Sequence, residues 1–146
     1  MLSCLLLLLS LVSVEASGGY PRRFSIMAKH VLNRPLIQYS FYGCQCGWIF
    51  GSQILDETDR CCYEYRCCQA PFRTDECKPE KASYYYTYRN GTLTCDDEDE
   101  SSCARRSCEC DRTAVFCFQS HHFSEINSKQ LHSSKCSGRR PPCPEV

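Results

Sequence analysis

Beyond residue 17 this 146-residue sequence contains no long apolar run. Residues 18–146 are therefore not expected to cross a membrane. No C-x-x-C pair occurs among the fifteen cysteines, and His30, His121, His122 and His132 are not spaced as ligands. Both absences count against a zinc cluster. An excess of one charge is missing too, since 17 Lys and Arg face 17 Asp and Glu. Residues 1–17 hold Glu15 and no Lys or Arg, so 18–146 carry 17 basic against 16 acidic residues, a formal +1. Such a balance offers no attraction for nucleic acid and no overall pull toward anionic lipid. Repeats and long linkers are absent, and the length suits one domain.

What the chain does have is cysteine. Residues 1–17 combine an apolar run from Leu5 to Val14 with small residues at Ala16 and Ser17. They read as a secretory signal peptide. The expected domain is 18–146, exported and soluble. Cys4 lies in the leader. Fourteen cysteines remain, an even number at high density, and an exported chain of that kind is expected to form a disulfide scaffold of seven bridges.

Along the chain, Phe24, Met27, Ala28, Val31 and Leu32 lie at helical spacing. A short amphipathic helix is predicted over Arg22 to Leu32, ending near Asn33-Arg34-Pro35. Residues 42–55 read as a loop. Asp56-Glu57-Thr58-Asp59 place acids at the positive end of a second helix. That helix is predicted to run to about Gln69 or Ala70, where Pro71 stops it. Residues 82–95 read as a hairpin, with strand-forming Tyr84 to Tyr88 and Asn90-Gly91 as a type I′ turn. Asn90-Gly91-Thr92 is also an N-glycosylation sequon. The acidic run 96–100 reads as a solvated loop or a weak cation site. A last helix is predicted over Ser107 to about Ser120, and residues 121–146 look irregular.

Cys61 and Cys68 are seven residues apart, as are Cys110 and Cys117. Seven residues is about two helical turns, so each pair lies on one face of its helix. Two antiparallel helices could then be bridged as Cys61–Cys117 and Cys68–Cys110, although spacing alone does not fix connectivity. Tyr65 falls between the two staples, so a groove between the helices is expected to hold Tyr65, Arg66 and Asp111.

Three motifs share one family pattern. Tyr42-Gly43-Cys44-Gln45-Cys46-Gly47 is similar to the calcium-loop opening of group II-type secreted phospholipases A2. Asp59-Arg60-Cys61-Cys62-Tyr63-Glu64-Tyr65-Arg66-Cys67-Cys68 resembles their catalytic helix, and Cys108-Glu109-Cys110-Asp111 their second long helix. The resemblance covers nearly all of the chain after the leader. It implies a mainly helical, disulfide-rich fold: two antiparallel disulfide-linked helices, a short N-terminal helix and a two-stranded β-wing. It also implies the remaining pairings: Cys44–Cys136, Cys46–Cys62, Cys67–Cys143, Cys77–Cys103 and Cys95–Cys108, beside Cys61–Cys117 and Cys68–Cys110.

In active members of that family a His activates water, and a neighbouring Asp with three loop carbonyls holds calcium. Carried over by resemblance, the base position is Tyr65 and the metal-carboxylate position is Arg66. The supporting residues are Asp111 and Tyr84, with Gln69 where a second Tyr belongs. The loop carbonyls are those of Gln45, Gly47 and Ile49. A phenol with a pKa of about 10 is protonated at neutral pH and cannot serve as the base. Glu64 is no substitute, because one helical residue is a rotation of about 100°. An arginine removes an oxygen ligand and adds a fixed positive charge. Ile49 and Phe50 stand where active members have glycines, which predicts a steric penalty in the loop.

These departures predict a secreted homologue that lacks calcium-dependent hydrolysis, needs no cofactor, and binds phospholipid surfaces or an extracellular protein. Arg66 is expected to supply the missing cation, bonding to loop carbonyls or to Asp111, unless it turns to solvent. Phe24, Trp48 and Phe50 are the candidate lipid contacts, with Met27, Val31 and Ile49 as further apolar lining. Lys135, Arg139 and Arg140 read as a small solvated patch. Two alternatives stay open. One is a matrix protein of calcium carbonate mineral, since CSGRRPPC at 136–143 is similar to the phospholipase-like otoconins. The other is a residual calcium-dependent phospholipase A2 that hydrolyses the sn-2 ester.

Overall fold

The computed structural model describes residues 22–47, 49–131 and 133–145. The leader expected in residues 1–17 and the lipid-contact candidate Trp48 lie outside the described residues. Helix α1, Arg22–Leu32, buries Phe24, Met27, Ala28 and Val31, the stripe its sequence spacing predicts, and packs on the last helix. Asn33 ends it with φ of 51°, a left-handed conformation that Asn tolerates better than most residues. A 3₁₀ turn, Leu36–Tyr39, then leads into the loop.

Helix α2, Glu57–Gln69, starts at an N-cap: the Asp56 carboxylate accepts the backbone N–H of Asp59 at 2.7 Å. Pro71 ends the α-helix where the sequence predicts, after Gln69. It sits in the first turn of a 3₁₀ segment, Ala70–Phe72, where a missing N–H leaves nothing unpaired. Strands β1, Tyr86–Arg89, and β2, Thr92–Cys95, pair antiparallel with Tyr88 opposite Leu93. Asn90 and Gly91 have φ of 50° and 77°, as a type I′ turn requires. Tyr84 and Tyr85, predicted to lie in the strand, precede it. Tyr84 instead turns wholly inward.

Helix α3, Cys103–Ser120, begins four residues earlier than the sequence predicts. The Ser102 hydroxyl accepts the N–H of Arg105 at 3.0 Å, a cap that outweighs the polar character of the first turn. Among the described residues no helix is long and apolar enough to cross a membrane.

Seven disulfides tie these elements together, with the pairing that the family resemblance implies. Cys61–Cys117 and Cys68–Cys110 staple α2 to α3 at both ends of one face, each with Cα atoms 5.8 Å apart. Cys46–Cys62 fastens the loop to α2. Cys77–Cys103 fixes the first residue of α3 to the segment that follows α2, and Cys95–Cys108 fixes the end of β2 to α3. Cys44–Cys136 and Cys67–Cys143 close loops of 92 and 76 residues. In the loop-entropy account each such closure stabilises the fold by about 4–5 kcal/mol. These two bridges also lay the C-terminal segment 136–143 across the 43–55 loop and α2.

Candidate functional site

The floor of the groove between α2 and α3 is Asp111, 2% exposed. Its carboxylate accepts the hydroxyl of Tyr65 at 2.7 Å and that of Tyr84 at 2.5 Å. Burial pushes the Asp111 carboxyl up to about 7, and the two phenols oppose that shift. Burial, followed by the charge of Asp111, raises Tyr65 well above the ordinary phenol value. Tyr65 is thus a fixed donor at any physiological pH. Phe24 lies against its ring with centroids 4.5 Å apart.

The loop is organised by a different carboxylate. Asp59, fully buried, accepts the backbone N–H groups of Cys44, Gln45 and Leu55, each at 2.9 Å. Burial raises its pKa and those three bonds pull it back. Gly43, with φ of 56°, lies so close that any Cβ there would overlap the Asp59 carboxylate. Gln45 adds side-chain bonds to the carbonyls of Gly51 at 2.8 Å and Gln53 at 2.9 Å. The penalty expected at Ile49 and Phe50 does not arise, because neither has a positive φ. The loop adopts backbone angles that branched and aromatic residues accept, with Ile49 buried and Phe50 62% exposed.

The loop-cation role predicted for Arg66 falls to Arg140. Arg66 reaches neither the loop carbonyls nor Asp111. Its Nη2 donates to the carbonyl of Pro141 at 2.8 Å, and its guanidinium lies 5.4 Å from the Tyr63 ring. Arg140, expected to be solvated, is the residue on the loop. Its Nη2 donates to Gly47 O at 3.2 Å and Ile49 O at 2.8 Å, and its guanidinium stacks 4.2 Å from the Phe50 ring. The reason is tertiary: the bridges at Cys136 and Cys143 hold the intervening segment over the loop, so a residue more than ninety positions away arrives first. Burial, then the nearby Arg66 charge, lower the Arg140 pKa.

Above Tyr65 a cavity of about 360 Å³ opens between α1, the loop and the C-terminal segment. Phe24, Leu36, Tyr39 and Phe118 form its apolar wall, and Arg66, Arg73 and Arg140 line it with charge. Phe24, a candidate lipid contact, is 3% exposed and belongs to this wall. Met27 and Val31 are core instead. Leu36, Tyr39, Asp59 and Arg140 were not legible as site residues. Only Arg140 carried a signal, since it lies between two cysteines of the scaffold. Elsewhere, Cys61, Cys117 and His121 place ligand-type atoms close together, but the two sulfurs form a disulfide. In the acidic run, Asp96 accepts from Thr87, Asp97 from the Tyr85 N–H and Asp99 from Ser101.

A disulfide-stapled helix pair with a carboxylate between two phenols, an adjoining cysteine-anchored loop and a two-stranded wing define a secreted phospholipase A2 scaffold. The sequence model of the phospholipase A2 family matches residues 22–130. The chain is 33% identical to the group IIE secretory phospholipase A2 of Mus musculus, over 97% of this chain and 96% of that protein. It is 37% identical to the basic phospholipase A2 caudoxin of Bitis caudalis, over 83% of this chain and 98% of the relative. A phospholipase A2 of Pithecopus azureus is 36% identical over 93% and 94%. The chain belongs to the phospholipase A2 family, as a group II-like member of the secreted type.

Proposed function

We propose that the chain is exported, loses residues 1–17, and acts as a non-hydrolysing phospholipase A2 homologue that binds phospholipid surfaces or an extracellular protein. The observation that carries this reading is the Arg140 guanidinium on the carbonyls of Gly47 and Ile49. Calcium takes six to eight oxygen ligands. Here two loop carbonyls already accept from a cation, and the residue at the metal-carboxylate position is itself a cation. The donor set does not suit a divalent ion. Tyr65, held protonated against Asp111, does not suit water activation. Binding to lipid is supported by Ile37, Phe41 and Phe50, all exposed in the segment that borders the cavity. Asn90, exposed at the hairpin turn, is the proposed glycan site.

The relatives are named phospholipases A2, so hydrolysis is the rival to exclude. Purified protein on mixed phospholipid vesicles should release no fatty acid above background, with calcium or with EDTA. Release that EDTA abolishes overturns the reading. Mineral binding draws less support, because three of the five acidic side chains at 96–100 serve the protein's own turns.

A further inference from the structure

Two cations share the cavity without an acid of their own. Arg73, the third arginine in its lining, is neutralised by Glu80 at 2.5 Å and bonds Gln69 at 3.0 Å. Arg66 and Arg140 have no such partner among the described residues. Their oxygen acceptors are the neutral carbonyls of Pro141, Gly47 and Ile49. The buried carboxylates are engaged elsewhere: Asp59 holds three backbone N–H groups, and Asp111 accepts from two phenols. Both guanidinium groups also keep a buried Nε–H with no acceptor. Two guanidiniums carry ten N–H bonds, so most of this pair's donor capacity is unspent. Like charges gathered in a partly dry site repel, and an anion is what relieves them.

The rest of the lining says what kind of anion. The rings of Phe24, Tyr39 and Phe118 with Leu36 give the cavity a continuous apolar side. Its volume, about 360 Å³, lies near the lower end of the roughly 300–1,000 Å³ typical of small-molecule pockets. A small apolar slot that ends on a cation pair matches one acyl chain with a negative head.

We propose that the cavity binds, without calcium, a single-chain amphiphile whose head is a carboxylate or a phosphate monoester. Arg66 and Arg140 take the head, and Phe24, Leu36, Tyr39 and Phe118 hold the chain. This rests on the non-hydrolysing reading above, because Arg140 is available only where calcium is not bound. Bidentate pairing with an oxyanion is the geometry in which arginine exceeds lysine.

The test is calorimetric titration of the full mature chain in EDTA, with each probe kept monomeric. The probes are oleate, 1-oleoyl lysophosphatidate, oleyl alcohol and inorganic phosphate. Either or both anionic amphiphiles should bind at least tenfold tighter than the alcohol and than phosphate, and the stronger of the two identifies the head group. Raising salt should narrow the gap to the alcohol. In the double variant R66Q/R140Q the gap should fall to less than threefold. If neither oleate nor 1-oleoyl lysophosphatidate binds tighter than oleyl alcohol in the unaltered protein, the proposal is overturned, as it is by phosphate binding that matches the amphiphiles. A gap that persists undiminished in R66Q/R140Q overturns it too. Vesicle hydrolysis with calcium, run on the same preparation, reports separately on the non-hydrolysing reading.

Discussion

The Nη2 of Arg140 donates to the carbonyl of Ile49 at 2.8 Å, across ninety-one residues of sequence. A second bond from the same nitrogen reaches Gly47. The loop is thereby tied by one side chain at two of its carbonyls. Any divalent cation would have to displace a charge that is tethered by two disulfides.

Arg140 should therefore contribute to stability. Hydrogen bonds to charged groups are each worth about 1.5–3 kcal/mol. Replacing Arg140 by Ala should lower the unfolding free energy by about 2 kcal/mol, read by chemical denaturation. Millimolar calcium should leave the melting temperature of the unaltered protein unchanged.

Restoring the two helix residues should not be enough to restore metal binding. In Y65H/R66D the new carboxylate at position 66 meets the Arg140 cation, which neutralises it as a ligand. Calcium should give no thermal shift in this double variant. A calcium-dependent rise in melting temperature should appear only when Arg140→Gln is added.

Tyr65→Phe removes one of the two donors to Asp111 while keeping the ring against Phe24. A buried carboxylate that loses one hydrogen bond should cost about 1–3 kcal/mol. Equilibrium unfolding of Tyr65→Phe measures this, and no loss would mean that Tyr84 alone satisfies Asp111.

Asp111 also makes stability depend on pH in an unusual direction for a carboxylate. Its pKa is pushed up to about 7 in the fold, against about 3.9 in an unfolded chain. Between those values the native state keeps a proton that the unfolded state has lost. Stability from this group is therefore full below about pH 4, falls as pH rises, and levels off above about pH 7. Thermal melts across that window should show the decline, and Asp111→Asn should flatten it.

The bridge Cys67–Cys143 should act on the site as well as on the unfolded chain. Opening it as C67S/C143S should cost about 4 kcal/mol in the loop-entropy account. It also frees the segment that carries Arg140. In a double-mutant cycle the cost of Arg140→Ala should shrink in the C67S/C143S background.

Much of this molecule was legible in the order of its residues. The seven-residue spacing of Cys61 to Cys68 and Cys110 to Cys117 allowed the stapled helix pair, because helical periodicity turns spacing into direction. The stripe at Phe24, Met27 and Val31 marked a buried face for the same reason. Asn90-Gly91 marked the hairpin through the backbone angles only such residues accept readily. Bridges such as Cys77–Cys103, with no spacing to direct them, were visible only by resemblance. So was the expectation that Tyr65 and Arg66 stand at the family's base and metal-carboxylate positions. Each of these depends on neighbours within a few turns or on a pattern shared with a family.

What only the folded chain decided is which cation occupies the loop. By sequence Arg66 was the nearer candidate, and Arg140 looked like part of a solvated tail. Helix α2 directs Arg66 to Pro141, whereas Cys44–Cys136 and Cys67–Cys143 carry Arg140 onto Gly47 and Ile49. A contact between residues more than ninety positions apart is set by the path of the chain through space, and local spacing holds no record of it.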